Sequence, residues 1–203
     1  MPKLAESTRS GVKPTSCAGN ERLGLRLSGS GGQGIILAAT LLADAAARSH
    51  YQVVKTQSYG PEARGGASKA EVIIDTEPID FPELDEPDVT LCLSQPAYEK
   101  YAQLTKPGGL LLIDSGLVRS DAEAGGLVCT GIPFTRLAET ELGKKVAANI
   151  VALGALQVLC EFAPADKVAE AIAWRLPAKI VDLNLAAFEL GRRHGEAART
   201  QRA

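Results

Sequence analysis

Residues 23–36 have the sequence LGLRLSGSGGQGII, and this stretch decides the fold. Leucines at every second position before the glycines predict a strand with one buried face. Gly29, Gly31 and Gly34 then fit the pattern G-x-G-x-x-G, which joins a strand to a helix and leaves backbone N–H groups free for an anion. An Ala- and Leu-rich segment at 35–49 predicts that helix. Within it, Asp44 and Arg48 are spaced as an i,i+4 ion pair.

The rest of the chain alternates short apolar runs with helical segments, which is typical of a mostly parallel sheet with helices on both faces. We therefore predict an α/β domain of three layers, α/β/α, with a Rossmann-like glycine loop and a helical C-terminal extension. The domain is expected to cover residues 21–192. A flexible leader is expected at 1–20 and a frayed tail at 193–203. The predicted strands are 21–28, 51–56, 67–75, 89–93, 110–114 and 127–133.

Composition excludes several classes of protein. The chain has 203 residues, of which 45% are hydrophobic, and its formal net charge is −2. Such a chain folds as one globular domain, and its charge balance supplies no basic surface for nucleic acid or for a membrane. Neither a signal sequence nor a membrane span is visible. We expect a cytoplasmic protein with no nucleic-acid or membrane partner.

The reactive residue types are too few and too scattered for a catalytic or metal site. Cys17, Cys92, Cys129 and Cys160 lie far apart in the sequence, and the two histidines are His50 and His194. An iron–sulfur cluster needs closely spaced thiolates, and a zinc site needs clustered Cys or His. No nucleophile–base set and no Walker lysine accompany the glycine loop. We therefore assign no catalytic residue and no metal ligand.

The glycine loop is the first candidate binding site. It offers Gly29, Gly31, Gly32, Gln33 and Gly34 to a phosphate or nucleotide; the alternative is a tight turn that binds nothing. A dinucleotide site would place an acidic residue at the end of the second strand. The sequence has Lys55 there, which suits a ribose phosphate or is simply a solvated strand end. This departure weighs against an ordinary NAD dehydrogenase.

Two further segments are candidates for the same site. The loop at 57–66 is long and irregular, and long loops are often functional; it supplies Tyr59, Glu62, Arg64, Gly65 and Gly66. Arg64 could hold a phosphate or carboxylate, or Glu62 and Arg64 could only shape the loop. Asn149 interrupts a helix of small residues at 144–156. The Asn149 side chain either faces the glycine loop or caps a local backbone group. The helix itself is either fully buried or packed against a neighbouring chain.

Taken together, these motifs resemble the gamma subunit, or gamma domain, of 2-oxoacid:ferredoxin oxidoreductases. The resemblance covers residues 22–160 in order, and the form of the 57–66 loop looks most like the 2-oxoglutarate branch. The pyruvate, branched-chain (ketoisovalerate) and indolepyruvate branches remain alternatives. The segments that carry it are Gly29–Ile36, Ala38–Ala46, Gln57–Gly66, Pro87–Val89, Leu93–Gln95, Lys106–Gly109 and Asn149–Leu156.

The resemblance implies a role within a larger enzyme. Such complexes convert a 2-oxoacid, CoA and oxidised ferredoxin to acyl-CoA, CO2 and reduced ferredoxin. Thiamine diphosphate and iron–sulfur clusters are expected on the alpha, beta and ferredoxin-like delta partners. The gamma chain is expected to help assembly and to present CoA, with no cofactor of its own assigned apart from CoA. Alone it should be inactive and should self-associate through exposed small-residue surface, for example as a homodimer.

Two other functions remain open at this stage. A stand-alone NAD(P)- or nucleotide-binding protein would explain the glycine loop. A pure assembly module would explain the small-residue helix and the glycine-rich loop at 57–66 equally well.

Overall fold

The structure is a computed structural model that describes residues 22–58, 67–121 and 127–201. All six predicted strands and the helix after the glycine loop are confirmed. Single 3₁₀ turns lie at Ala102–Leu104 and Lys145–Ala147. The predicted leader at 1–20 lies outside the described residues. In chain order the elements are β1 (Leu23–Ser30), α1 (Ile35–Arg48), β2 (Gln52–Ser58), β3 (Ala67–Asp75), β4 (Val89–Cys92), α2 (Gln95–Tyr101), β5 (Leu110–Asp114), β6 (Val128–Ile132), α3 (Phe134–Leu142), α4 (Ala148–Cys160), α5 (Ala165–Arg175) and α6 (Ala178–Thr200).

The sheet has the strand order β2-β3-β1-β4-β5-β6. Strands β1, β4, β5 and β6 pair in parallel, and β3 pairs antiparallel with both β1 and β2. The predicted mostly parallel sheet with helices on both faces is confirmed. The sequence did not predict the insertion of β3 between β1 and β2. Because the chain leaves β1 and β4 toward opposite sides of the sheet, a crevice forms at the carboxyl ends of these two strands.

The two faces of the sheet are covered differently. One face carries the main core, in which alternate residues of the strands, such as Leu25 and Leu91, pack with α1 and α4. The other face carries a smaller cluster, where Cys92, Leu111 and Ile113 pack against Tyr98 of α2. Strands β4 and β5 are therefore buried on both sides, which explains their largely apolar sequences.

The thiol of Cys92 lies inside this smaller cluster. Burial raises its pKa from 9.0 to about 12, although the Ser28 hydroxyl nearby opposes part of that effect. At pH 9 about one such thiol in a thousand is ionised, against half at the ordinary value. We expect iodoacetamide at pH 9 to leave Cys92 unmodified in the folded chain and to label it in denaturant. Peptide mass spectrometry checks this, and labelling of Cys92 as fast as the half-buried Cys129 would contradict it.

Helix α4 is buried within the chain itself. Every one of its 13 residues is buried, and α6 crosses it so closely that the backbones touch. A Cβ on Gly154 would collide with the Phe188 carbonyl, and a Cβ on Gly191 with the Val151 carbonyl. The sequence allowed either burial or a neighbouring chain, and burial is confirmed. The expectation that this helix exposes sticky small-residue surface is therefore wrong.

Most of the segment at 193–203, which was expected to fray, is helical in the structure. Helix α6 continues to Thr200 because its later turns have partners elsewhere in the chain. Gly195 packs on Ala155 of α4, and the Arg199 guanidinium meets the Glu161 carboxylate at 3.0 Å.

The expected pair of Asp44 and Arg48 within α1 does not form. The Asp44 carboxylate instead binds Arg175 of α5, with N–O distances of 2.7 and 2.8 Å. The Arg48 guanidinium lies over the ring of Trp174, 5.4 Å from its centroid. These contacts dock the C-terminal extension on α1, and sequence spacing within one helix could not reveal them.

Candidate functional site

A cavity of about 430 Å³ opens at the carboxyl end of the sheet, beside the crevice between β1 and β4. It brings together the glycine loop, the end of β4 and the starts of α3 and α4. None of its lining residues, among those that the structure describes, is acidic. The lining consists of Gly31, Gly32, Gln33, Leu93, Thr135, Lys145, Val146 and Ala148.

The loop glycines fall into two pairs. A Cβ on Gly29 would lie 2.6 Å from the Gln33 amide oxygen, and a Cβ on Gly34 would collide with the Asn149 side chain. Gly34 also has a φ of 71°, which favours glycine. A Cβ on Gly31 or on Gly32, by contrast, would meet no atom within 4 Å. The first pair is therefore needed for packing, and the second presents bare backbone to the cavity.

The helices that begin at this cavity give it a positive character. The N-cap residues of α1 and α4 are Gly34 and Ala147, and within the described ranges neither helix start has a side-chain cap or an acidic residue in its first turn. The start of α3 differs, because the buried Asp114 carboxylate of β5 accepts the Thr135 N–H at 2.9 Å. Lys145 is exposed at the rim. Uncapped helix starts and a lysine favour an anion here.

Gln33 and Asn149 hold the glycine loop in place. The Gln33 amide accepts the Ser30 N–H at 2.7 Å and donates to the Leu93 carbonyl at 2.8 Å. The Asn149 amide donates to the Gly34 carbonyl at 3.0 Å and is only 3% exposed. Of the two interpretations of Asn149, the contact with the glycine loop is confirmed.

Lys55 does not line this cavity. It lies in β2, level with Val72 of β3 and, beyond it, Leu25 of β1. By standard strand geometry its backbone is roughly 20 Å from Ser30. Its ammonium group donates to Gln57 at 3.3 Å. The prediction assumed that β2 lies next to β1, and the inserted β3 removes that neighbour.

The predicted residues Tyr59, Glu62, Arg64, Gly65 and Gly66 lie outside the described residues. The described residues on either side, Ser58 and Ala67, end β2 and begin β3. Ala67 pairs with Ser30 in the sheet, so the chain returns from this loop directly beside the glycine loop.

The sequence did not single out Leu93, Thr135 or Lys145 as site residues. Leu93 directly follows β4, and Thr135 lies shortly after the end of β6. Parallel strands present the loops at their carboxyl ends on one edge of the sheet. That position is the signal that could have found them. Lys145 precedes the helix that carries Asn149, and its relation to the glycine loop depends on the packing of α4.

Among the residues that the structure describes, there is neither a cluster of metal ligands nor a membrane-spanning helix. Within residues 22–58, 67–121 and 127–201, three or more His, Cys, Asp or Glu side chains nowhere gather as metal ligands would. No helix among these residues combines the length and the apolar character that crossing a bilayer requires.

Comparison with known proteins gives consistent matches over most of the chain. A model of the pyruvate ferredoxin/flavodoxin oxidoreductase family matches residues 24–194. The 2-oxoglutarate synthase subunit KorC of Methanocaldococcus jannaschii is 48% identical over 169 residues, which is 82% of this chain and 90% of that protein.

Solved structures have the same fold. The gamma subunit of a keto/oxoacid ferredoxin oxidoreductase from Geobacter sulfurreducens is 40% identical, with a TM-score of 0.78 over 88% of this chain and 98% of that one. A 2-oxoglutarate:ferredoxin oxidoreductase from Magnetococcus marinus, with 2-oxoglutarate, coenzyme A and succinyl-CoA bound, is 28% identical with a TM-score of 0.80. The match spans 87% of this chain and 31% of that one.

Proposed function

The chain belongs to the pyruvate ferredoxin/flavodoxin oxidoreductase family, and we propose that it is the gamma subunit of a 2-oxoglutarate:ferredoxin oxidoreductase. The complex oxidises 2-oxoglutarate with CoA to succinyl-CoA and CO2, and it passes the electrons to ferredoxin. Support comes from the KorC subunit at 48% identity and from the Geobacter sulfurreducens gamma subunit, which this chain covers almost end to end. The proposal includes a cytoplasmic location.

The partner chains carry the redox chemistry in this proposal. Thiamine diphosphate lies on the alpha and beta subunits, and the iron–sulfur clusters lie on the ferredoxin-like delta subunit. The scattered cysteines of this chain support that division, since a cluster needs several closely spaced thiolates. The gamma chain contributes assembly and the presentation of CoA.

The cavity beside the glycine loop receives an anionic group of CoA in this proposal. The observation that carries it is the open space in front of Gly31 and Gly32, at the uncapped starts of α1 and α4. CoA is anionic at its pyrophosphate and its 3′-phosphate, and such groups bind helix starts and basic side chains. Lys145 is positioned to assist, and Arg64 is proposed as a second basic contact.

The two alternatives explain fewer of the features. A stand-alone dinucleotide enzyme needs β2 beside β1 to reach the ribose, and β3 separates them here. A pure assembly module leaves the open glycines and the cavity unexplained. Calorimetric titration of the assembled complex and of the chain alone with CoA and with NADPH separates the three functions. The gamma-subunit proposal expects CoA binding to the complex and no NADPH binding.

The isolated chain is expected to be inactive with 2-oxoglutarate, CoA, thiamine diphosphate and a viologen acceptor. Adding the alpha, beta and delta subunits should restore viologen reduction. Absorbance of the reduced viologen measures both. Turnover above the blank by the chain alone, with contaminating subunits excluded by mass spectrometry, would contradict the subunit assignment.

A further inference from the structure

The Gln33 side chain joins two neighbouring strand ends. Its amide oxygen accepts the N–H of Ser30, the last residue of β1, and its NH2 group donates to the carbonyl of Leu93, which follows β4. The backbone N–H of Gln33 also donates to the Ser30 carbonyl at 3.2 Å. The Leu93 N–H in turn donates to the Ser28 carbonyl at 2.9 Å. One side chain therefore bridges the carboxyl ends of β1 and β4.

Two glycines lie inside the turn that Gln33 closes. Gly31 and Gly32 are the residues between Ser30 and Gln33, and they are the two loop glycines with open space in front of them. Asn149 holds the other end of the loop through the Gly34 carbonyl. With both ends fixed, the backbone of Gly31 and Gly32 lies along the cavity wall before any ligand arrives.

Both polar atoms of the Gln33 amide are already committed to backbone partners. One N–H and one oxygen lone pair of the amide stay available, but a ligand that turned the amide toward itself would break these hydrogen bonds and leave backbone groups unpaired, which is costly. Gln33 is therefore better suited to shape the loop than to bind a ligand directly. A binding loop that is fixed in advance does not lose the affinity that ordering it would cost.

We propose that Gln33 is a positioning residue for CoA, fixing the glycine loop so that Gly31 and Gly32 face the cavity. This inference rests on the proposed function, in which the cavity receives an anionic group of CoA. It assigns Gln33 a role different from that of a direct cofactor ligand.

The test uses the reconstituted complex with Gln33→Ala and a matched control, Gln95→Ala. Gln95 also bridges a backbone N–H and a carbonyl, both of Arg119, at 2.8 and 3.4 Å, but it does not line the cavity. We expect Gln33→Ala to raise the KM for CoA about three- to tenfold, the range that one lost hydrogen bond spans. The kcat at saturating CoA should change less than twofold. Gln95→Ala should leave both constants unchanged.

A second variant, Gln33→Glu, changes the hydrogen bonding of the side chain while keeping its size. It keeps an acceptor for the Ser30 N–H, loses the donor to Leu93, and adds a negative charge beside the proposed anion site. We expect its KM for CoA to exceed that of Gln33→Ala, with the complex still assembled by size-exclusion chromatography.

The Lys145→Ala variant distinguishes failure of the positioning role from failure of the proposed function. If Lys145→Ala raises the KM for CoA and Gln33→Ala does not, the positioning role is overturned while the proposed function stands. If neither variant moves the KM, the cavity does not receive CoA and both proposals fall. If Gln33→Ala abolishes assembly while Gln95→Ala does not, Gln33 is a scaffold residue and the positioning role is overturned.

Discussion

Replacing Gly191 by alanine is expected to destabilise the chain by more than about 2 kcal/mol. The new Cβ would collide with the carbonyl of Val151, because α6 crosses α4 with the two backbones in contact. Forcing extra atoms into a packed interior typically costs about 1–3 kcal/mol and occasionally more. Intrinsic helix preference points the other way, since alanine is favoured over glycine by about 1 kcal/mol inside a helix. A net loss of stability in Gly191→Ala would therefore show that the two helix backbones are in contact.

Thermal unfolding of the isolated chain measures this effect. At about 2–4 °C for each kcal/mol in a chain of this size, Gly191→Ala should lower Tm by roughly 4 °C or more. Gly31→Ala is the matched control, because its Cβ would meet no atom within 4 Å and its φ is not among the positive values. An unchanged or raised Tm for Gly191→Ala would mean that α4 and α6 pack further apart.

The sequence contained enough information for the elements and the fold class. Strands β4 and β5 are short, largely apolar runs, and the neighbouring glycines and prolines mark their ends, so their burial on both faces was predictable. The insertion of β3 between β1 and β2 was not predictable. An alternating or apolar run predicts a strand, but it contains no information on which neighbour it pairs with or in which direction.

The candidate site also has residues that the sequence could predict and residues that needed the structure. The glycine loop could be predicted because its signal is local, and Asn149 stood out because it interrupts an apolar helix. The distance of Lys55 from the glycine loop could not be predicted, because it depends on the strand order. Lys145 was missed because it reaches the cavity only through the packing of α4. Gln33 was identified as a site residue, while its hydrogen bonds to two strand ends needed the structure.

Substituting Gly31 by valine is expected to raise the KM of the reconstituted complex for CoA at least about tenfold. The structure leaves open space in front of Gly31, so the new side chain fits the chain itself and occupies the approach of the ligand. Loss of one charge-assisted backbone contact is worth about 1.5–3 kcal/mol, or roughly 10- to 150-fold in affinity. Gly31→Ala should give a smaller rise in KM, with Tm unchanged in both variants.

Lys145→Ala extends this prediction from shape to charge. Lys145 is exposed at the cavity rim, so solvent screens it and its loss should raise the KM for CoA only about 1.4- to fivefold. Lys179→Ala removes the same charge from an exposed position at the start of α6 and should leave the KM unchanged. The difference between the two lysine variants should shrink at 0.5 M salt, because screening weakens exposed charge interactions.

Steady-state rates with CoA varied, at saturating 2-oxoglutarate and viologen, provide the measurement for all four variants. Decarboxylation at thiamine in the absence of CoA reports whether the partner active site is still assembled. A Gly31→Val complex that fails to assemble would make the loop part of a subunit interface. A complex that assembles with the wild-type KM in both Gly31→Val and Lys145→Ala would exclude the cavity as the CoA site, because neither the steric nor the electrostatic contribution would then be present.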